Sequence, residues 1–161
     1  MSYNGDMHLL VNYFRGLSKA MEDEWQKLAK GLGLTQAELH VMWIVNSKGK
    51  ISVSKIAKIG LWDRSTVMQI LKRLKEKNLI TVTKDENDLR VTHISLTKEG
   101  KEKRNLSQFK ESKFLEFLCL YQNENKRFMD ELFKFQKELN SYFHGDEFIE
   151  WVEETSKNYN E

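Results

Sequence analysis

The chain has 161 residues, 31% of them charged and 40% hydrophobic, with one cysteine, no proline and a net charge of +2. That length holds one core, or one core plus an association layer, and the composition is that of a soluble globular chain rather than a disordered one. One cysteine excludes an intramolecular disulfide framework, no stretch reaches the roughly 18 uninterrupted apolar residues of a membrane span, and the first residues lack a secretory pattern, so a cytoplasmic location is expected.

The elements follow in chain order. Leu9, Leu10, Tyr13, Phe14, Leu17, Met21, Trp25 and Leu28 recur every three or four positions and predict a helix over 6–30, ended by Gly31 and Gly33. Thr35 with Glu38 three residues on is a capping box for a second helix. Leu39, Met42, Trp43 and Ile44 form its inner face, and Lys48-Gly49-Lys50 breaks it. Ser52 is the N-cap of a short helix over 53–59, and Gly60 is read as a positive-φ turn residue. Asp63 caps a helix over 63–77 whose inward stripe is Val67, Ile70, Leu71 and Leu74, with Asn78 as its left-handed C-cap. Residues 79–83 and 91–96 are β-branched and flank a polar connection, which predicts a two-stranded hairpin. Thr97 with Gly100 opens another helix. Residues 98–119 and 124–143 read as two long helices, Gly145 ends the second, and Phe148, Ile149, Trp151 and Val152 mark a last short one.

Charge is unevenly spread along these elements. Residues 1–47 carry 4 Lys/Arg against 5 Asp/Glu (net −1), residues 48–104 carry 15 against 7 (net +8), and residues 105–161 carry 7 against 12 (net −5). A basic middle between acidic flanks suggests a polyanion-facing segment, although basic blocks also occur as plain solvated faces.

Two short helices followed by a hairpin are the layout of a winged helix-turn-helix, in a fold that is mainly α with a small β-hairpin wing. The helix over 63–77 is then a recognition helix. Arg64, Ser65, Met68 and Gln69, near its N-terminus, are the candidates for base edges, since Gln can pair with adenine, Arg with guanine, and Met can touch a thymine methyl. Lys72, Arg73 and Lys75 are placed to meet phosphates. Ser52 and Thr66 complete the candidate DNA-binding set on the helices. On the wing, Asp85, Glu86 and Asp88 would repel DNA if all faced outward. Asp88 is therefore expected to make internal hydrogen bonds or to pair with a nearby basic group, leaving Arg90 to enter a minor groove. The other reading is a solvated turn in which Arg90 pairs with an acid and touches nothing else.

The middle of the chain resembles the MarR family of bacterial transcriptional regulators. The resemblance rests on SVSKIA, RSTVMQILKRLKEKNLI, DENDLR and LTKEG, and the helix-rich flanks also fit. The run LTQAELHVMWIVNSKGKISVSKIAKIG and the aromatic C-terminal helices are similar to the protease-production regulator subgroup. The family's wing pattern is acid-x-Arg-Asp-x-Arg. Asp85, Asp88 and Arg90 match it, whereas Asn87 stands in place of the first Arg and Asn78 in place of a common Gly. The resemblance implies a homodimeric repressor on a pseudo-palindromic duplex, with residues 35–100 as the DNA-binding domain and residues 1–34 and 101–161 as dimerisation helices. It also implies a crevice for a small-molecule effector, which Tyr13, His40 and Trp43 would line. The crowd of aromatic and aliphatic residues over 105–155, Phe109 among them, independently favours association, because two helices cannot hide so many from water.

Other chemistry is thinly represented. His8, His40, His93 and His144 have no ligand spacing with one another or with Cys119, so no metal is expected. Cys119 lies among Leu118, Leu120 and Tyr121 with no adjoining cation, which predicts a buried, inert thiol. No phosphate loop, paired carboxylates or nucleophile motif appears, so neither enzymatic activity nor a cofactor is expected. A winged helix that binds an acidic protein partner is the alternative, and a ligand-responsive sensor is a variant of the DNA-binding reading.

Overall fold

The computed structural model describes residues 4–107 and 112–157. The elements are α1 (Gly5–Gly31), α2 (Gln36–Lys48), β1 (Ile51–Ser52), α3 (Val53–Gly60), α4 (Arg64–Glu76), β2 (Ile80–Lys84), β3 (Thr92–Leu96), α5 (Lys98–Leu106), α6 (Lys113–Glu124), α7 (Lys126–His144) and α8 (Asp146–Ser156). No helix among the described residues is long and apolar enough to cross a membrane.

The core lies between α2, α3, α4 and the sheet. Leu39, Met42, Ile44, Ile56, Ile59, Ile70, Leu74, Leu79 and Ile94 are its largest buried side chains. These are the inward stripes that the 3.6- and 2-residue periodicities select. The expected caps form. Thr35 and Glu38 make a reciprocal capping box, the Ser52 hydroxyl accepts from the Lys55 amide, and the Asp63 carboxylate accepts from the Thr66 amide.

Four expectations are corrected. The wing is a three-stranded antiparallel sheet in the order β1-β3-β2, because Ile51 and Ser52 pair with Ile94 and His93. Two residues are too few to show as a strand in sequence. The helix over 98–119 is two helices: α5 ends at Leu106 with Ser107 as its cap, and the Ser112 hydroxyl starts α6 by accepting from the Leu115 amide. Phe109 lies outside the described residues. Gly60 is helical, and the left-handed residue is Leu61 at φ 58°. Gly60 lacks a side chain for another reason: a Cβ there would meet the Trp62 ring at 2.3 Å. Cys119 is exposed in the single chain rather than buried.

Outside the core the helices are sparsely covered. α1 buries Ala29, α7 buries Met129, and neither α6 nor α8 has a fully buried residue. Leu10, Leu17 and Met21 on α1, and Phe117, Leu120, Phe128, Phe133 and Phe143 on α6 and α7, stay exposed. α8 turns back onto the winged-helix lobe. Trp151 packs against the core and its indole N–H donates to Ser47 Oγ at 2.9 Å. Lys48 pairs with Glu154, and Glu147 pairs with Lys58 at 3.0 Å and Lys55 at 3.7 Å.

Candidate nucleic-acid interface

What α4 could do depends on how firmly it is held and what its outer face offers. Asp63 fixes the N-terminus. Its carboxylate accepts the Thr66 amide at 2.8 Å, the Thr66 hydroxyl at 2.6 Å and the Ser65 hydroxyl. These hydrogen bonds, first from Ser65 and then from Thr66, hold the Asp63 carboxyl well below the usual carboxylate range. Ser65 and Thr66 thus donate their hydroxyl protons to the cap, and only their oxygen lone pairs remain for a ligand.

Arg64, Ser65, Met68, Gln69, Lys72 and Lys75 are exposed on α4. Their spacing of three and four residues puts them on one face, opposite Val67, Ile70, Leu71 and Leu74. Arg64 leans toward α3, with Nη1 3.4 Å from Ser54 Oγ. Arg73, expected to meet phosphate, is partly exposed and also tied to α2. Its Nε donates to Glu38 Oε1 at 3.3 Å, and Lys77 Nζ donates to Glu38 Oε2 at 2.8 Å. Glu38 is fully buried. Burial pushes its carboxyl up, but the hydrogen bond from Lys77, the Thr35 amide and the charges of Lys77 and Arg73 outweigh this and hold it below the usual range. The capping box revealed Glu38 as a cap. That it also bolts α2 to α4 depends on a contact 35 residues away in sequence.

Between α4 and the sheet lies a trough of about 490 Å³ lined by Val53, Met68, Gln69, Leu71, Lys72, Lys75, Val82, Thr92 and Ile94. Beyond it stands the wing loop. Asp85 accepts from the amides of Asn87 at 2.9 Å and Asp88 at 3.1 Å, and meets His93 Nε2 at 3.0 Å. Asp88 does make internal hydrogen bonds, and its basic partner is Arg90 itself. Oδ1 accepts Arg90 N and Nε at 3.0 Å, and Oδ2 accepts Nη2 at 3.1 Å. Even so, the Arg90 side chain is 92% exposed. Arg90 is thus paired with an acid and still projects from the tip.

The expected effector residues separate. Tyr13 is 71% exposed and lies twelve residues before Trp25 on α1, about 18 Å along the axis. Within the chain it does not join the other two. His40 and Trp43 belong to an aromatic cluster that adds Trp25 and Trp62, neither of which the sequence reading had placed there. The His40 ring is 5.6 Å from Trp25 and 5.3 Å edge-on to Trp62, Trp25 is 6.2 Å from Trp43, and Arg104 lies over Trp43 at 4.3 Å. Burial pushes the His40 imidazole below its usual range. Among the described residues no cluster of His, Cys, Asp and Glu has a metal-holding arrangement.

A capped helix with an exposed polar face, set on a second helix and flanked by a three-stranded wing, defines a winged helix-turn-helix protein. Residues 34–92 match the MarR family. It is 38% identical over 93 residues to the HTH-type transcriptional regulator Hpr of Exiguobacterium sibiricum, a match that covers 58% of this chain and 49% of the relative. It is 36% identical over 88 residues to the DNA-binding transcriptional repressor ScoC of Bacillus subtilis, covering 55% and 43%. The chain thus spans about half the length of the curated relatives it matches. Among solved structures, a MarR-like protein of Bacillus cereus superposes with a TM-score of 0.73 at 24% identity, covering 85% of this chain and all of that one. A MarR variant from E. coli in complex with operator DNA gives 0.67 at 17% identity, covering 83% and 97%. These likenesses establish the fold.

Proposed function

We propose that the chain is a transcriptional regulator that binds double-stranded DNA as a homodimer in the cytoplasm and represses by occluding a promoter. The observation that carries this reading is the joint exposure of the α4 face and Arg90 within the segment of net charge +8. Arg64, Met68 and Gln69 contact base edges from the N-terminal half of α4. Lys72 and Lys75 neutralise phosphates, and Arg90 reaches the adjoining minor groove. Ser52, Ser65 and Thr66 act chiefly by holding the helix starts. Residues 35–100 form the DNA-binding unit, and residues 1–34 and 101–161 supply most of the association surface. The names of the relatives and the operator-bound MarR structure support the DNA reading, and the uncovered apolar rows of α1, α6 and α7 support the dimer.

The test is fluorescence anisotropy with a random-sequence duplex at rising salt, alongside sedimentation. Affinity falls linearly on a log–log plot with a slope of several units, about one per phosphate contact. The sedimenting mass is twice the 19.1 kDa chain. No duplex affinity at low salt refutes the DNA reading and favours an acidic protein partner. A monomer refutes the dimer.

A further inference from the structure

We propose that His93 is the positioning residue of the wing: through Asp85 it sets the loop that aims Arg90. The inference rests on the DNA-binding reading above and deepens it.

β3 is the central strand, paired with β1 through Ser52↔His93 and with β2 through Thr83↔His93. Residue 93 is therefore held on both sides by the sheet. Asp85 lies two residues beyond Thr83, which puts it on the same sheet face as His93 in a diagonal neighbour position. The imidazole reaches it there at 3.0 Å. The other imidazole nitrogen, Nδ1, is buried with no hydrogen-bond partner. A bare lone pair there costs less than a buried N–H without an acceptor, so the ring donates its Nε2–H to Asp85.

The carboxylate that receives this bond is the hub of the loop. Its Oδ1 takes the Asn87 and Asp88 amides, while the Asp85 amide donates to the Val91 carbonyl at 3.0 Å and the Val91 amide to the Asp88 carbonyl at 2.9 Å. Asp88, placed in this way, grips the Arg90 backbone amide and guanidinium together. The order of dependence runs from rigid strand to His93, Asp85, Asp88 and Arg90. His93 also holds the Asp85 carboxyl below its usual range, with the two loop amides adding to the effect. Histidine was discounted in the sequence because it has no metal-ligand spacing. Its partner is instead eight residues away across the hairpin.

A double-mutant cycle on the full chain tests this. Duplex affinity and its salt slope are measured with random-sequence DNA for Arg90→Ala, His93→Leu, His93→Gln and the double His93→Leu/Arg90→Ala, each first checked for folding by circular dichroism. Amide exchange at Asn87 and Asp88 is followed in parallel. Gln carries an amide donor at the reach of Nε2 and restores the bond; Leu fills the space without it. The expected result is that His93→Leu weakens binding and flattens the slope toward the Arg90→Ala value, a loss of about one unit. The double variant is no worse than Arg90→Ala alone, His93→Gln recovers, and exchange at both amides quickens about fivefold in His93→Leu. Independent, multiplying losses, or failure of Gln to rescue, overturn the positioning role. If Arg90→Ala binds as well as the parent, the wing contact itself falls, and unchanged exchange in His93→Leu would then overturn the structural role of His93 as well.

Discussion

Glu38 shows how one residue takes two roles. As the third residue of α2 it closes the capping box; as a fully buried carboxylate it needs compensation, which Lys77 and Arg73 bring from the end of α4. Both cations are about two-fifths exposed, so removing Glu38 leaves charges that water can reach, whereas removing the cations strands a buried anion. The second change is the costly one. Replacing both, Arg73→Met with Lys77→Met, is expected to lower stability at neutral pH by about 3 kcal/mol in urea titrations. The deficit begins to narrow already above pH 4.5, the ordinary value for Glu, because burial without the cations raises the stranded carboxyl and it takes a proton there in the variant. A pH-independent deficit would mean that the cations act by packing alone. Gly100 has a simpler role: a Cβ there would stand 2.1 Å from the Leu79 carbonyl oxygen, so only glycine lets α5 pass the start of the wing.

At the scale of elements, α8 is the least anticipated piece. It sits against α2 and α3 by one indole and three ion pairs. Magnitudes decide which of them holds it. Exposed ion pairs contribute roughly 0–1 kcal/mol each, while a half-buried indole with a hydrogen bond contributes more, on the order of 2 kcal/mol. Trp151→Ala is therefore expected to release α8, seen as fast amide exchange over 146–156 and a stability loss of about 2 kcal/mol. Glu147→Ala and Glu154→Ala change stability by less than about 1 kcal/mol each. The reverse ranking would make the contact electrostatic, and high salt would then release it.

For the whole molecule, acid is the destabilising direction. His40 is kept neutral by burial among Trp25 and Trp62, so its folded pKa lies below the unfolded 6.5. Its contribution is complete above that value and is lost as pH falls through the lower, folded one. Glu38 repeats the sign below 4.5, since its folded pKa is also depressed. Stability is thus expected to decline from about pH 6.5 downward, before any carboxylate titrates, and His40→Phe should flatten that first step in urea midpoints taken between pH 7 and 5. An unchanged first step would assign it to another group. The cluster joins α1, α2 and the turn before Asp63, so the same proton loosens the seat of α4.

Much of this architecture was written locally. Thr35, Ser52, Asp63, Asn78 and Thr97 announce their caps by residue type and neighbours a few positions away, and the stripes of α2, α3 and α4 follow from period alone, because capping and amphipathicity are short-range physics. The exposed face of α4 was legible for the same reason: it is what the inward stripe leaves over. Contacts closing across long separations needed the fold. Arg73 turns to Glu38, β1 pairs with β3, Trp62 and Trp25 enclose His40, His93 meets Asp85, and Trp151 returns to Ser47. Side-chain chemistry names the partners such groups accept, but only the packed backbone brings one into contact, since burial and distance are properties of the assembled chain.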